Sequence, residues 1–238
     1  MKRLFARLLA FLSGLMILFA LLFTSLQLCL NDEGWFRQEY QKLSLESRIG
    51  IPAEDITRAL MQLVYYMEGE AEGIQLSVTE NGQTVEMYNE QEILHMEDVR
   101  ELYQAFRTAR NLCCILALIL LALSALLMRG QALRTFSEGF LSAAKALAIL
   151  FVALGIWVVA DFSSFWTQFH RLFFDNDLWI MSYAECRMIR ICPQQLFYDI
   201  VVRFALMFLI PTAVLLLLAI LFRARGRRKE KEEALPDD

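Results

Sequence analysis

The 238-residue sequence predicts an α-helical integral membrane protein with four transmembrane helices and a small α+β extracytoplasmic domain between spans one and two. Three observations predict it. Apolar residues make up 57% of the chain, above the roughly 45–50% usual in soluble domains. They gather in four blocks, at 4–30, 112–128, 140–160 and 200–222, each close to the roughly 17–25 helical residues that cross a hydrocarbon core. The polar segments between the blocks alternate in charge. A single soluble globule, a fibre and a disordered chain are thereby excluded. With a net charge of −4, a pI of about 5.4 and no basic face outside the membrane flanks, no nucleic-acid partner is expected.

The first block, 4–30, follows Lys2 and Arg3 and contains Arg7. Its 27 residues exceed the ~7–15 of a signal-peptide core, and no A-x-A site follows, so it reads as a span. Cys29 is preceded by Leu28, where a lipidation box has a small residue. The segment 31–111 comes next, and its 31–107 stretch carries 16 acidic and 6 basic residues. Residues 36–49 read as extended or mixed, with a third strand expected there beside a hairpin. Ile51-Pro52-Ala53-Glu54-Asp55 reads as a helix start, with proline early and acids in the first turn. Ile56, Leu60, Leu63, Val64 and Met67 continue at helical spacing, and Gly69 stops the helix. Between Ile74 and Tyr88, alternating apolar residues flank Asn81-Gly82, the strongest short hairpin signal, giving a hairpin near 74–88. Asn89 and Glu92 form a helix-capping pair. The helix they open carries His95 and Asp98 and continues into span two, 112–128.

A loop at 129–139 holds Arg129 and Arg134, with Lys145 just inside span three, 140–160. The second outer segment, 161–199, opens with an aromatic helix: Phe162, Phe165, Trp166, Phe169, Leu172 and Phe173 share one face, which suits the headgroup level. His170 flanks that face beside Trp166 and Phe174. Span four, 200–222, contains Arg203 and Pro211. Arg203 either snorkels or pairs with Asp161; Pro211 kinks the span or is relieved by neighbours. The tail, 223–238, begins with Arg223, Arg225, Arg227, Arg228 and Lys229 and ends in an acidic, solvated stretch. The N-terminal flank, the 129–139 loop and the tail are the basic segments, so both termini are expected in the cytoplasm.

The chain has no G-x-S-x-G, H-E-x-x-H, P-loop or G-x-G-x-x-G pattern. Among five cysteines there is no C-x-x-C; Cys186 and Cys192 are open to either a disulfide or free thiols. The two histidines of the whole chain, His95 and His170, both fall on the outer side, near span ends, beside apolar faces. Imidazole titrates near neutrality, so two can divide the roles of acid and base. Asp98, one helical turn after His95, can orient the ring. Two histidines are too few for a metal site, and no metal or cofactor is expected.

At these residues the sequence resembles a known family. Glu92-Ile93-Leu94-His95-Met96-Glu97-Asp98-Val99-Arg100 is similar to an E-x-x-H-M-x-D-V-K/R signature. Phe169-His170-Arg171-Leu172-Phe173-Phe174, followed by Asp175-Asn176-Asp177-Leu178-Trp179, and Pro193 with Phe197-Tyr198 extend the likeness. The family is that of bacterial four-span lipoprotein intramolecular transacylases. The sequence departs from the pattern after Trp179, where Ser182-Tyr183 stand in place of a proline, and in the basic, cysteine-bearing stretch from Ala184 to Ile191.

The resemblance implies a plasma-membrane enzyme with its site at the outer leaflet, acting on a diacylglyceryl-modified lipoprotein amid membrane lipid. One acyl chain moves from the sn-2 oxygen to the α-amine of the same cysteine, with His95 and His170 catalytic. Trp166, Phe174, Trp179 and Arg203 are the expected substrate contacts, with Arg203 or Trp179 among the candidate oxyanion donors. A monomer is expected. The alternatives from other classes are another lipid acyltransferase or hydrolase, and a non-enzymatic membrane sensor or assembly factor.

Overall fold

The computed structural model describes residues 1–233, with side chains described through 228. The acidic end of the tail, read above as solvated, lies outside the residues so described. The element order is α1 (Lys2–Leu30), α2 (Glu33–Lys42), α3 (Leu45–Ile49), α4 (Ala53–Glu68), β1 (Ser77–Glu80), β2 (Gln83–Glu86), α5 (Glu90–Leu127), a 3-10 turn (Arg129–Gln131), α6 (Ala132–Ala160), α7 (Phe162–Phe173), α8 (Arg187–Ile191) and α9 (Gln194–Glu233). The chain is thus mostly helical, with one small two-stranded sheet and four helical segments long and apolar enough to cross a membrane. The 129–139 stretch, expected as a loop, is instead the 3-10 turn and the opening turns of α6. The chain divides into two compact units, Met1–Ser25, Thr108–Val159 and the part from Ala205 onward forming one, Leu26–Arg107 with Ala160–Phe204 forming the other.

In the first unit, α1 is the most enclosed of the four apolar helices: 44% of its apolar window is buried, against 11–17% for the others. Its sequence explains this. Ala10 and Gly14, one turn apart on α1, meet Gly139 and Ala143, one turn apart on α6. A Cβ on Gly139 would stand 2.5 Å from the Ala10 carbonyl carbon, and one on Gly14 would stand 3.0 Å from Ala143 Cβ. Small residues at this spacing let two backbones approach closely where lipid supplies no hydrophobic drive. Hydroxyls join the other helices to α1. Ser13 Oγ donates to the Ala117 carbonyl at 3.0 Å, and Ser124 Oγ donates to the Ala6 carbonyl at 3.0 Å. Pro211 lacks an N–H and so frees the carbonyl of Met207 four residues earlier. Ser25 Oγ donates to that carbonyl at 3.2 Å. This is the relief by a neighbour that a proline inside a span requires.

In the second unit, the stretch expected to be extended is helical. Residues 36–49, where a third strand was anticipated, belong to α2 and α3, and the sheet has two strands. The physical reason lies in side chains one turn apart: Phe36 and Tyr40 are both 1% exposed and share one face of α2. Asp32 caps that helix by accepting from the Trp35 N–H at 3.0 Å. α4 buries Ile56, Leu60, Leu63 and Val64 and ends on Gly69, whose φ of +80° is the left-handed cap that glycine tolerates. The hairpin pairs Ser77 with Glu86 and Glu80 with Gln83, around Asn81 and Gly82 at φ of +51° and +82°. Positive φ at both central residues matches a tight type I′ turn. α5 opens with a reciprocal capping box: Asn89 N–H donates to Glu92 Oε2 at 2.7 Å, and Glu92 N–H donates to Asn89 Oδ1 at 3.0 Å. α7 is capped by Asp161, which accepts from the Ser164 N–H at 2.9 Å.

Candidate active site

His95 lies in the second turn of α5, ahead of that helix's apolar stretch, and His170 lies in the last turn of α7. Both are buried, at 8% and 7% exposure. Their ring centroids are 6.1 Å apart with planes inclined by 29°. Phe174, the residue that ends α7, packs against both, 5.2 Å from His95 and 5.6 Å from His170. Trp166 meets His170 edge-on at 4.8 Å, and Trp179 lies 5.0 Å from it on the other chain segment. The two imidazoles therefore stand in an aromatic box, shielded from bulk solvent.

The hydrogen bonds fix the state of one ring. His170 Nδ1 lies 2.8 Å from the Trp166 carbonyl. A carbonyl only accepts, so Nδ1 carries the proton, and the neutral ring presents Nε2 as its basic nitrogen. His95 Nδ1 is shielded from solvent and meets no partner among the described residues. Burial pushes the His95 pKa down to about 4; the nearby His170 pushes the same way and Asp98 opposes weakly. Burial also lowers His170, while its bond to the Trp166 carbonyl pulls the other way. Both rings are neutral at pH 7, as desolvation of a cation requires.

Two cavities meet at the pair. One, of about 210 Å³, is apolar: Leu60, Leu63, Val64 and Met67 from α4 face Met96 and Val99 from α5. The other, of about 220 Å³, adds the polar side chains of Ser163, Thr167 and Gln194, and includes Trp179. His95, His170, Trp166 and Cys192 line both. The Cys192 thiol is no nucleophile here, because burial and the nearby Glu92 push its pKa up to about 12. Cys186 and Cys192 are both buried free thiols. Among the described residues no group of three His, Cys, Asp or Glu side chains gathers as a metal site.

The other expected contacts divide. Trp166, Phe174 and Trp179 surround the histidines. Asp98 does not hold the His95 ring; its Oδ2 accepts from Asn176 Nδ2 at 2.8 Å, tying α5 to the loop that carries Trp179. Arg203 lines neither cavity. It pairs with Asp32, donates to the Cys29 carbonyl at 3.4 Å and stacks over Trp35 at 4.7 Å. Its expected pairing with Asp161 is corrected accordingly: Asp161 caps α7, and the acid that reaches Arg203 is the N-cap of α2.

Sequence reasoning missed the residues that fix the outer loop. Glu92 Oε1 accepts from the Met188 N–H, and Gln91 Nε2 donates to the Leu178 and Ile180 carbonyls, both at 3.0 Å. Glu80 receives Arg187 at 2.8 Å and Arg190 at 2.7 Å, which binds α8 to the hairpin. The basic residues that depart from the family pattern are thus internal clamps. The surplus of polar residues beside the Asn89–Glu92 cap was the available signal.

The chain matches, over residues 11–197, the family model described as lipoprotein intramolecular transacylase Lit. Among solved structures it is similar to the membrane integral lipoprotein intramolecular transacylase Lit from Bacillus cereus, with 17% identity, 94% of this chain and 98% of that chain covered, and a TM-score of 0.76. A histidine-to-alanine variant of the same Bacillus cereus protein matches at 16% identity, covering 94% of this chain and 96% of that one, with a TM-score of 0.71. A histidine-to-arginine variant matches at 16% identity and 94% of each chain, also with a TM-score of 0.71. No curated protein matches the chain in sequence. With a family model that spans most of its length, this membrane-integral chain belongs to the lipoprotein intramolecular transacylase family, and is an enzyme of that activity.

Proposed function

We propose that His170, as base and then acid, and His95, as hydrogen-bond donor, carry out an acyl shift within one diacylglyceryl-modified lipoprotein. The observation that carries this is the juxtaposition of two buried, neutral imidazoles, 6.1 Å apart, at the meeting of an apolar and a more polar cavity. The apolar cavity receives the sn-2 acyl chain. The polar one receives the cysteine headgroup and the start of the peptide.

The α-amine has a pKa of roughly 7.7–8.0 in water and attacks as the free base. His170 Nε2 takes the proton that nitrogen loses as the C–N bond forms, since its Nδ1–H is held by the Trp166 carbonyl. His95, neutral because of burial, offers an N–H to the developing oxyanion, and the His170 imidazolium gives the proton it took to the sn-2 oxygen as the C–O bond breaks. The proton lost by nitrogen ends on the glycerol oxygen. The product is N-acyl, S-monoacylglyceryl lipoprotein. Amine and ester share one molecule, so folding the headgroup is worth roughly 7–11 kcal/mol of the barrier. No covalent acyl-enzyme is formed and no cofactor takes part.

The basic flanks support a bacterial plasma-membrane orientation with both termini cytoplasmic and the histidines at the outer leaflet. The test is fragmentation mass spectrometry of a lipoprotein's N-terminal lipopeptide from membranes with and without the enzyme. The shift yields an isomer, so fragments rather than intact mass decide. One acyl group on nitrogen and one on glycerol, absent with H95A or H170A, is expected. A free amine despite active expression overturns the reaction, and a product of altered mass points to hydrolysis or an external acyl donor.

A further inference from the structure

In the unit built from the apolar helices, five cations from three helices converge on one cavity of about 420 Å³. Arg7 comes from α1, Arg134 and Lys145 from α6, Arg223 and Arg227 from α9. Among the described residues one carboxylate, Glu138, stands with them. Its oxygens are already taken, by Arg7 at 3.2 Å and Arg134 at 3.1 Å. Arg223 Nε lies 3.9 Å from Glu138 Oε1, too far for a hydrogen bond; it is shielded from solvent and meets no other acceptor among the described residues. Lys145 and Arg227 pair with no carboxylate among the described residues.

Glycines build the convergence. Gly139 lets α6 approach α1, and a Cβ on Gly226 would stand 3.1 Å from Arg134 Cβ, so α9 also comes close at this level. Lys145 is eleven residues beyond Arg134, about 16 Å further along the helix. Lys145 lines the same cavity together with Leu141 and Ser142, one turn before it on α6. Phe11 and Leu141 form an apolar part of the wall.

We propose that this cavity binds the phosphate of an anionic phospholipid headgroup. One carboxylate cannot compensate five cations, and the shielded Arg223 N–H lacks its acceptor. A phosphate supplies both the charge and the oxygens, and guanidinium forks match phosphate geometry. Basic pockets between membrane helices take anionic headgroups, and the apolar wall suits the start of an acyl chain better than a free ion. The site does not depend on the transacylase chemistry.

The test uses the full-length enzyme in neutral detergent, with native mass spectrometry after adding phosphatidylglycerol or phosphatidylcholine. One retained phosphatidylglycerol, in preference to phosphatidylcholine, is expected. The double variant K145Q/R227Q removes two cations without breaking an observed ion pair and should weaken retention about tenfold or more. The control R225Q/R228Q removes the same charge from outside the cavity and should leave retention unchanged. Inorganic phosphate is tested separately by its effect on thermal unfolding. Stabilisation by phosphate with the same variant dependence, without lipid retention, would assign the pocket to free phosphate. Equal retention of both lipids, or equal weakening by the two double variants with no phosphate effect, would overturn the site.

Discussion

The two units hold their polar groups in opposite ways. Among the apolar helices, small residues and hydroxyls do the joining: Ala10, Gly14, Gly139 and Ala143 form a seam, and Ser13, Ser25 and Ser124 each donate to a backbone carbonyl of another helix. In the unit with the histidines, acids and amides hold α8 and the loop before it: Glu92 accepts from the Met188 N–H, Gln91 donates to the Leu178 and Ile180 carbonyls, and Glu80 pairs with the arginines of α8. The contrast follows from the surroundings. Lipid offers no partner to an unsatisfied group and no hydrophobic drive between helices, so close packing and locally satisfied hydroxyls prevail. At the site, burial comes from aromatic and aliphatic side chains of the protein itself. That burial keeps both imidazoles uncharged, and the charged clamps stand one step behind them.

The largest expected effect breaks the chemical unit alone. H95A and H170A should each lower the acyl-shift rate by about 100-fold or more while the helical content and membrane yield stay near wild type. A loss of folded protein in parallel with activity would mean the rings serve packing instead. Next, Gly139→Leu strikes the seam. With its Cβ 2.5 Å from backbone, the substitution should cost about 3 kcal/mol or more and lower the unfolding temperature in detergent. Glu92→Ala comes third. It leaves the Met188 and Asn89 N–H groups without their acceptor, at about 1–3 kcal/mol. Turnover should fall several-fold with the shape of the pH profile unchanged, because Glu92 positions the loop and touches no substrate. Ser25→Ala should be the mildest, about 0.6 kcal/mol, since it removes one hydroxyl from the carbonyl that Pro211 frees.

Acid sharpens the comparison further. Both histidine pKa values lie below the ordinary value of about 6.5 in the folded state. The unfolded chain therefore binds protons that the folded one refuses. Stability from this source is complete above about pH 6.5 and is lost as pH falls toward 4. Replacing His95 with glutamine should flatten that part of the stability curve, measured by thermal unfolding across the window.

The apolar blocks and the capping box were open to sequence reading because each depends on neighbours in the chain: hydropathy over twenty residues, or Asn89 with Glu92. The histidines could be singled out because the chain has just two. α2 was misread because its polar residues dominate, although Asp32, Phe36 and Tyr40 carry a cap and a buried face. Arg203 was misplaced for a different reason. Depth along a helix suggested Asp161, but direction around the helix decides the partner, and Asp32 occupies that direction. Asp98 was assigned to His95 on spacing alone, whereas its hydrogen bond goes to Asn176, 78 residues away. Contacts across such separations leave no local period to read.

In the proposed reaction two neutral imidazoles act, with the proton of His170 held on Nδ1 by the Trp166 carbonyl. Nitrogen-15 NMR of the enzyme labelled at histidine tests it directly, since two rings give two sets of signals. Both rings are expected to be neutral at pH 7, with the proton of His170 on Nδ1 and His95 titrating near pH 4. A charged ring at pH 7, or a His170 proton on Nε2, would contradict it.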